Sequence, residues 1–494
     1  MFFSGLSVIF NDPISLIWIF IGVVVGIIFG AIPGLSATMA IAIFLPITYS
    51  LTAVKGMATM IGLYIGGISG GLISAILLNI PGTPSSVATC FDGRPLALQG
   101  KADKALGVGI LFSFIGTLLG IVALIYISPI LASLAIKFGP QEYFAVALFS
   151  VVLIIVLSSE NMIKGLITGV LGLILSTIGM DPVVGMPRFT LETTTLKSGF
   201  NILTVLVGLY AVSEVLTTCA DINQTQPIDI PAVKMKGFGI TLPDFFKQTG
   251  NILRSAAIGL GIGILPGIGG GTSNLIAYTV AKSQSKNPER FGKGEITGLI
   301  ASETANNATI GGAMIPLLTL GIPGDTTTAM VLGGLMIHGI IPGPLIFETH
   351  GDLMYAIFIF MLIASFLMLI VETLGIRAFI KVLKIPKNIL MPLIVVLCVI
   401  GAFGTNNRVF DIGAIIFFGI LGNFLSKLNF PLPPIVLGFI LGGTLETNLR
   451  RGLSMTNDLF IPFLLRPISG TFIIVTFLFL CFSIYKQIKR FNKC

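Results

Sequence analysis

Long apolar runs are the feature that most limits what this chain can fold into. One of them, MYAIFIFMLIASFLMLIVE at 354–372, is almost continuously apolar. A helix of about 20 such residues crosses the ~30 Å hydrocarbon core of a bilayer. A transmembrane β-barrel would instead show segments of about ten residues that alternate in polarity. The runs therefore predict an all-α polytopic membrane protein.

Composition extends this conclusion to the whole chain. Of its 494 residues, 54% are hydrophobic and 10% are charged, whereas soluble domains carry about 25% charged residues. We count about 12–15 hydrophobic segments of membrane-helix type, which leave no room for a soluble domain. The five cysteines are scattered without metal-like spacing, so they indicate neither a redox site nor a zinc site.

The net charge of +8 is explained by topology rather than by nucleic-acid binding. Basic residues collect in short loops, as the positive-inside rule predicts for any inner-membrane protein. With the N-terminus outside, the C-terminal tail and the loops near 282–293 and 377–387 become cytoplasmic. Arg450 and Arg451 would then lie outside, against the rule. We predict a multi-pass protein of a bacterial-type cytoplasmic (inner) membrane, with its C-terminus in the cytoplasm.

Two unusual phrases each occur twice. The pairs are NIPGTPSS (79–86) with GIPGDTTT (321–328), and GAIPGLSAT (30–38) with GILPGIGGGTS (263–273). Their prolines are offset by 242 and 233 positions, respectively. Seven apolar segments separate the two units, and an odd number makes the second enter the membrane from the opposite side. We therefore predict two inverted-topology repeats, an architecture that recurs in secondary transporters with alternating access.

The repeats suggest a division of the chain. We assign 1–220 to the first membrane repeat and 221–250 to a cytoplasmic linker. The second, inverted repeat occupies 251–455, and 456–494 forms a C-terminal helix with a basic cytoplasmic tail. In the first repeat, Gly62, Gly66 and Gly70 have the small-xxx-small spacing that predicts close helix packing.

Each repeated phrase contains a Pro-Gly pair that predicts a broken or re-entrant helix. The breaks are Pro33, Gly34, Pro81, Gly82, Pro266, Gly267, Pro323 and Gly324. Proline and glycine leave backbone groups without helical partners at membrane depth. Free amides at a half-helix N-terminus suit a carboxylate, and free carbonyls suit Na⁺ or a proton carrier. The alternative is that each pair only kinks or ends a helix.

Hydroxyl and amide side chains follow the breaks. We predict a substrate site formed by Ser36, Thr38, Asn79, Thr83, Ser85, Ser86, Thr272, Ser273, Asn274, Thr326 and Thr327. These are helix-capping types that supply donors without adding a repulsive charge.

Ionisable residues inside spans indicate function because burying a charge in lipid is costly. In ASETANNATIGG (301–312), Glu303, Asn306 and Asn307 lie within roughly 100° on a helix. Asp325 follows its break where the first repeat has Thr83. We predict that these four residues couple transport to Na⁺ or H⁺. The alternatives are an interhelical hydrogen bond for Glu303 and a plain helix cap for Asp325.

An enzyme is not supported by the sequence. It has no phosphate-binding loop of the Walker type, and its two histidines, His338 and His350, do not form a catalytic set with other residues. We expect no cofactor and no metal beyond a transported Na⁺. A channel is a further alternative, although duplicated inverted halves favour alternating access.

Longer phrases carry a family resemblance. They are GAIPGLSATMAIAIFLPITY, GGLISAILLNIPGTPSSVATCFDGRPLALQGKADKALG, GILPGIGGGTSNLIAY and GLIASETANNATIGGAMIPLLTLGIPGDTTTAMVLGGLMIHGIIPGP. Over about residues 15–445 the chain resembles the large membrane subunit of tripartite tricarboxylate transporters, the TctA family. The resemblance implies a small four-helix membrane subunit and a periplasmic solute-binding protein as partners. It also implies uptake of citrate or other carboxylates by an ion gradient, with a standalone carboxylate symporter as the alternative.

Overall fold

The structure is a computed structural model that describes residues 2–157, 162–220, 235, 237–383, 385 and 387–491. Half of the predicted linker at 221–250, namely 221–234 and 236, lies outside these ranges. The described chain is mostly helical, which confirms the predicted all-α fold class. Its strands β1 (Gly179–Met180) and β2 (Pro187–Arg188) form one short antiparallel pair.

The helices have the following bounds in chain order. The first eleven are α1 (Phe2–Asn11), α2 (Ser15–Ala31), α3 (Ala37–Tyr49), α4 (Ala53–Leu78), α5 (Val87–Leu96), α6 (Ala102–Ala135), α7 (Pro140–Leu157), α8 (Met162–Ser176), α9 (Ile202–Leu206), α10 (Ser213–Ala220) and α11 (Leu242–Lys247). The others are α12 (Thr249–Ile264), α13 (Gly269–Ser283), α14 (Ile296–Leu320), α15 (Thr326–Ile337), α16 (Ile346–Thr349), α17 (Gly351–Val382), α18 (Lys387–Asn406), α19 (Val409–Lys427), α20 (Pro433–Ser454), α21 (Ile461–Leu465) and α22 (Pro467–Phe491). A 3₁₀ turn at Pro84–Ser86 precedes α5, and a π-helical stretch at Val207–Val212 joins α9 to α10.

Membrane-spanning helices are identified by length and apolar character. Within the described ranges, seven helical stretches meet both conditions, and the bent pair Phe3–Asn11 and Ser15–Ala31, at 92°, raises the number to eight. Shorter apolar helices, such as Ala37–Tyr49 and Thr326–Ile337, account for several other hydrophobic segments. The protein is thus a multi-pass membrane protein.

The chain divides into two compact units. Unit 1 contains Met1–Ala132 and Glu214–Gly401, and unit 2 contains Ser133–Ser213 and Ala402–Cys494. Each unit takes elements from both predicted repeats. The boundaries of the two compact units therefore differ from the boundaries of the two repeats predicted from sequence.

Close helix packing in unit 1 depends on glycine. On α4, a Cβ built on Gly62 would lie 2.6 Å from the Ile19 carbonyl oxygen, and one on Gly70 would lie 2.5 Å from that of Ile27. Gly66 approaches the Val23 carbonyl in the same way. The predicted small-residue packing is confirmed, and its partner is α2.

The packing of α12 on α14 resembles that of α2 on α4. The contacting residues of the two helix pairs are separated by the same 233 and 242 positions as the repeated phrases. In the first repeat, α2 packs on α4 with Gly26 against the Leu63 carbonyl oxygen, at 2.6 Å from a built Cβ. In the second, Gly263 lies at 2.7 Å from the Thr309 carbonyl oxygen by the same measure, and Gly259 contacts the Ala305 carbonyl. These contacts support the internal repeat, whereas the inverted orientation stays a prediction.

Unit 2 contains acids that are paired with arginines. The ion pairs are Glu142 with Arg466 at 3.0 Å, Asp181 with Arg450 at 2.8 Å, Asp411 with Arg408 at 3.1 Å and Glu446 with Arg188 at 2.7 Å. Asp181 also accepts hydrogen bonds from the backbone amides of Val183 and Val184. The Val184 amide and the Arg450 guanidinium lower the pKa of Asp181 below its ordinary value.

Candidate functional site

All four Pro-Gly pairs lie between helices of unit 1. The first falls between α2 and α3, the second between α4 and α5, the third between α12 and α13, and the fourth between α14 and α15. Before the second and fourth breaks, Asn79 and Gly321 both adopt the left-handed conformation that ends a helix, with φ of 58° and 71°. The breaks therefore bring helix ends and helix starts into the interior of one unit.

The first and fourth breaks contact each other through hydroxyl groups. Thr38, on α3, has its Oγ1 at 2.8 Å from Oγ1 of Thr327 and at 3.2 Å from Oγ1 of Thr326, both on α15. Thr38 and Thr327 are buried. Three predicted substrate residues from the two repeats thus form one hydroxyl cluster.

The second and third breaks contact each other in a corresponding way. The backbone N–H of Ala88 donates to Oδ1 of Asn274 at 2.7 Å, and Asn274 Nδ2 donates to the Ser302 carbonyl at 3.3 Å. A Cβ built on Gly270 would lie 3.0 Å from Cβ of Ser85. The residues after each break therefore face a break of the other repeat.

Asp325 caps α15 and contacts a tyrosine from the first repeat. Its Oδ1 accepts the Thr328 backbone N–H at 2.7 Å, and its Oδ2 accepts the Tyr64 hydroxyl at 3.1 Å. The cap that was the alternative interpretation of Asp325 is present, together with an additional donor from α4. An acid at this position can hold a small cation or a proton while its helix start stays ordered.

Thr83 occupies the equivalent position in the first repeat. Its backbone N–H donates to Oγ of Ser86 at 3.2 Å, and its Oγ1 lies 3.0 Å from Oγ of Ser85. All three side chains are buried. The first repeat thus builds a neutral, hydroxyl-only cap where the second has a carboxyl.

Glu303 lies in a polar contact between α14, α5 and α6. Thr89 and Ser113 donate to its two carboxyl oxygens, Ser113 at 2.9 Å. Thr117 donates to Oδ1 of Asn307 at 3.4 Å, and Asn307 Nδ2 donates to the Glu303 carbonyl at 3.1 Å. The interhelical hydrogen bond considered as an alternative for Glu303 is therefore present.

Asn306 points to another part of unit 1, towards the third break. Consecutive helical residues diverge by about 100°, so Asn306 lies near Gly270, whose built Cβ would be 2.6 Å from its Oδ1. Asn306 is 1% exposed, and neither polar atom of its amide has a partner among the described residues. Buried amides are normally satisfied, so this one is available to a ligand.

The other predicted substrate residues have varied positions. Asn79 and Thr272 are exposed. Ser36 caps α3 by accepting the Met39 backbone N–H at 3.2 Å, and Ser273 Oγ lies 2.7 Å from Oγ1 of Thr309. The buried part of the candidate site is therefore smaller than the set predicted from sequence.

Several polar residues near the site were not predicted. Tyr64, Thr89 and Ser113 are bonded to predicted acids, but the partners lie 261, 214 and 190 positions away and only the fold brings them together. Glu372 is fully buried on α17, where Ser69 of α4 donates to its Oε2 at 2.9 Å. Its position at the end of the run at 354–372 was the signal that could have identified it.

Asp92, on α5, holds the loop that precedes α14. Its Oδ1 accepts the backbone N–H groups of Gly292, Gly294 and Glu295 at 2.9, 2.8 and 2.8 Å. Asp92 is fully buried. The helix that carries Thr89, a donor to Glu303, is thus joined to the loop that leads into the helix carrying Glu303.

These features define a class of protein: a multi-pass helical membrane protein whose interior joins hydroxyl, amide and carboxyl groups from two similar segments of chain. Among the residues that the structure describes, no cluster of three or more His, Cys, Asp or Glu side chains could hold a metal ion.

The chain belongs to the tripartite tricarboxylate transporter TctA family, whose model matches residues 16–437. Membership confirms the resemblance and implies that the chain is the large subunit of a tripartite tricarboxylate transporter. It likewise implies a small membrane subunit and a binding protein as partners, and a transporter fits the expectation that the chain is not an enzyme.

Two relatives from Agrobacterium vitis are similar to this chain. One, an uncharacterized 52.8 kDa protein in the TAR-I ttuC' 3'region, is 35% identical over 475 residues, which cover 96% of this chain and 94% of the relative. The other, an uncharacterized protein in the TAR-II ttuC' 3'region, is 39% identical over 210 residues, which cover 42% of this chain and 87% of the relative. No solved structure matches the chain.

Proposed function

We propose that this chain moves a tricarboxylate or related organic acid across the inner membrane by alternating access coupled to a Na⁺ or H⁺ gradient. The substrate binds between the Pro-Gly breaks of the two repeats. The observation that carries this proposal is the crossed pairing of the breaks, in which Thr38 contacts Thr326 and Thr327 while Ala88 contacts Asn274.

The donors around the breaks suit a carboxylate. Hydroxyl groups and backbone amides at helix starts stabilise an anion through hydrogen bonds and the helix dipole. Asn306 adds an amide whose two polar atoms have no partner among the described residues. The Asn306 amide group can therefore donate hydrogen bonds to a bound carboxylate without breaking an existing one.

The charge of the site supports ion coupling. The phrases at 30–38, 79–86, 263–273 and 301–328 contain no lysine or arginine. Asp325 and Glu303 add negative charge, and an uncompensated anion beside them in a low-dielectric interior would be strongly disfavoured. The substrate therefore binds together with Na⁺ or H⁺, which Asp325 and the Glu303–Asn307 contact hold.

The crossed pairing also supports alternating access. Each contact joins one repeat to the other, so exchanging the conformations of two similar halves opens the same site to the opposite side. This mechanism requires the inverted orientation of the repeats. The positions proposed for the termini, the N-terminus outside and the C-terminus in the cytoplasm, are a separate part of the proposal and follow from the basic loops.

Reconstituted vesicles test the proposal. The chain is reconstituted with its small four-helix subunit, a solute-binding protein is added outside, and uptake of labelled citrate is measured under a Na⁺ or a H⁺ gradient. We expect accumulation that requires one gradient and, at low substrate, both partners. Full-rate uptake by the purified chain alone would identify a standalone symporter. Equal rates with and without either gradient would contradict ion coupling.

A further inference from the structure

Glu372 is a buried carboxyl that the proposed site does not use. It lies on α17 and is 0% exposed. Ser69 donates to its Oε2, and its Oε1 has no hydrogen-bond partner among the described residues. A buried acid with one donor is unusual, because carboxylates in protein interiors normally have several donors or a cation.

The charged groups near Glu372 do not include a cation that pairs with it. The helices packed against α17 are α1, α2, α4, the short α16 and, through Phe114 on Phe366, α6, and α1 and α2 contain no titratable residue. The other titratable residues of α4, α6, α16 and α17 are Lys55, Tyr64, Asp103, Lys104, Tyr126, Glu348, Asp352, Tyr355, Arg377 and Lys381. Lys55 pairs with Asp12, and Tyr64 bonds to Asp325. No lysine, arginine or histidine of the described chain lies within ion-pair distance of Glu372.

The neutral form of Glu372 suits this environment. Moving an ionised carboxylate into a protein interior is strongly unfavourable unless a cation or several donors compensate for it. One hydroxyl group does not compensate for it, whereas a protonated carboxyl carries no net charge. A metal ion would need more oxygen ligands than the single Ser69 hydroxyl supplies.

The surroundings connect Glu372 to Glu303 through two helices. Ser69 and Leu72 are one turn apart on α4, and a Cβ built on Gly109 of α6 would lie 3.6 Å from a Leu72 methyl group. Ser113, one turn along α6, donates to Glu303. The two carboxyls thus flank the contact between α4 and α6.

We propose that Glu372 is a proton-binding site: it holds one proton while buried and releases that proton to water when the transport cycle exposes it. The proton comes from water on one side of the membrane and leaves to water on the other, so no other reactant is required. This inference rests on the proposed function for its role in transport, whereas proton binding itself does not depend on uptake.

Infrared spectroscopy of the purified full chain tests proton binding directly. A protonated carboxyl has a carbonyl stretch that an ionised carboxylate lacks. We expect the neutral-pH spectrum of Glu372→Gln to lack one such band that the unaltered chain shows, and Ser69→Ala to shift the same band. Glu303→Gln is the matched control and should leave this band in place. An unchanged carbonyl region in Glu372→Gln would overturn the proposal.

Vesicles with both partners test the role in transport. We expect Glu372→Gln to reduce accumulation driven by a proton gradient by at least about tenfold, within the range of measured coupling free energies. Exchange of internal for external substrate should continue, because it needs no net proton release. Gradient-driven accumulation at the unaltered level would contradict a coupling role. Uptake by the unaltered chain under a Na⁺ gradient alone would also contradict the coupling role of Glu372. If the unaltered chain shows no uptake under either gradient, the proposed function fails, while the infrared result still decides whether Glu372 binds a proton.

Discussion

Two groups of acids, one in each compact unit, are held in opposite ways. In unit 2, Glu142, Asp181, Asp411 and Glu446 each pair with an arginine. In unit 1, Glu303, Asp325 and Glu372 are held by hydroxyl groups and a backbone amide, without an ion pair to any described residue. An acid paired with arginine keeps a fixed charge. An acid held only by neutral donors can be neutralised by a mobile cation or a proton. We therefore expect the residues that couple transport to an ion gradient to lie in unit 1.

The largest expected effect is from Asp325→Asn. The amide keeps the size and the cap acceptor but removes the charge. We expect normal insertion and loss of ion-driven accumulation by at least about tenfold in vesicles. Asp352→Asn is the matched control, because it removes an exposed carboxylate of the same unit and should leave accumulation unchanged. Wild-type accumulation and ion dependence in Asp325→Asn would leave this residue as a helix cap only.

Arg466→Met tests the opposite expectation for unit 2. Glu142 is buried and would lose the guanidinium that lies 3.0 Å away, although Arg466 is half exposed and water would compensate in part. We expect a loss of about 1–3 kcal/mol in the free energy of unfolding, measured by denaturation in detergent. The exposed Arg451→Met is the control and should change little. If folded Arg466→Met lost ion coupling, the assignment of coupling to unit 1 alone would be wrong.

Thr38→Val sharpens the comparison within the hydroxyl cluster. Valine keeps the branched shape but removes the hydroxyl that lies near those of Thr326 and Thr327. One lost hydrogen bond is worth about 0.5–1.5 kcal/mol, so we expect the half-saturating substrate concentration to rise about two- to tenfold. Ion dependence should not change. Thr349→Val, at an exposed position, is the control, and equal kinetics in both variants would exclude Thr38 from the site.

The smallest effect is a pH dependence in unit 2. Because the Val184 amide and Arg450 lower the pKa of Asp181, its ionised form stabilises the fold above the ordinary carboxyl pKa of about 4. That stabilisation is lost as pH falls below this value towards the lowered pKa. We expect Asp181→Asn to show a smaller drop in melting temperature between pH 7 and pH 3 than the unaltered chain. An identical drop in both would contradict the assignment.

The sequence predicted the features that follow from local chemistry. Apolar runs predicted the helical membrane fold, and the glycines at 62, 66 and 70 predicted close packing because only glycine lets two backbones approach so closely. The partners of the acids could not be predicted in the same way. Tyr64 and Asp325 are 261 positions apart, and a lone tyrosine or serine in an apolar helix gives no sign of which distant residue it contacts.

Glu372 was missed for a related reason. An acid at the end of an apolar run is usually placed at the membrane surface, where water solvates it. Only the packing of α4 on α17 shows that this carboxyl is enclosed. Asn79 illustrates the converse, since its phrase suggested a ligand contact while its backbone conformation ends α4 and leaves the side chain exposed.

The three amide contacts of Asp92 have a practical consequence. Trypsin would cut the loop before α14 after Lys286, Arg290 and Lys293. Asp92 accepts hydrogen bonds from backbone amides on both sides of Lys293. Cleavage after Lys293 requires the loop to detach from α5, the helix that also bears Thr89. The rate at which trypsin cleaves the intact protein therefore reports movements around Glu303. It can be measured on a gel without a labelled substrate.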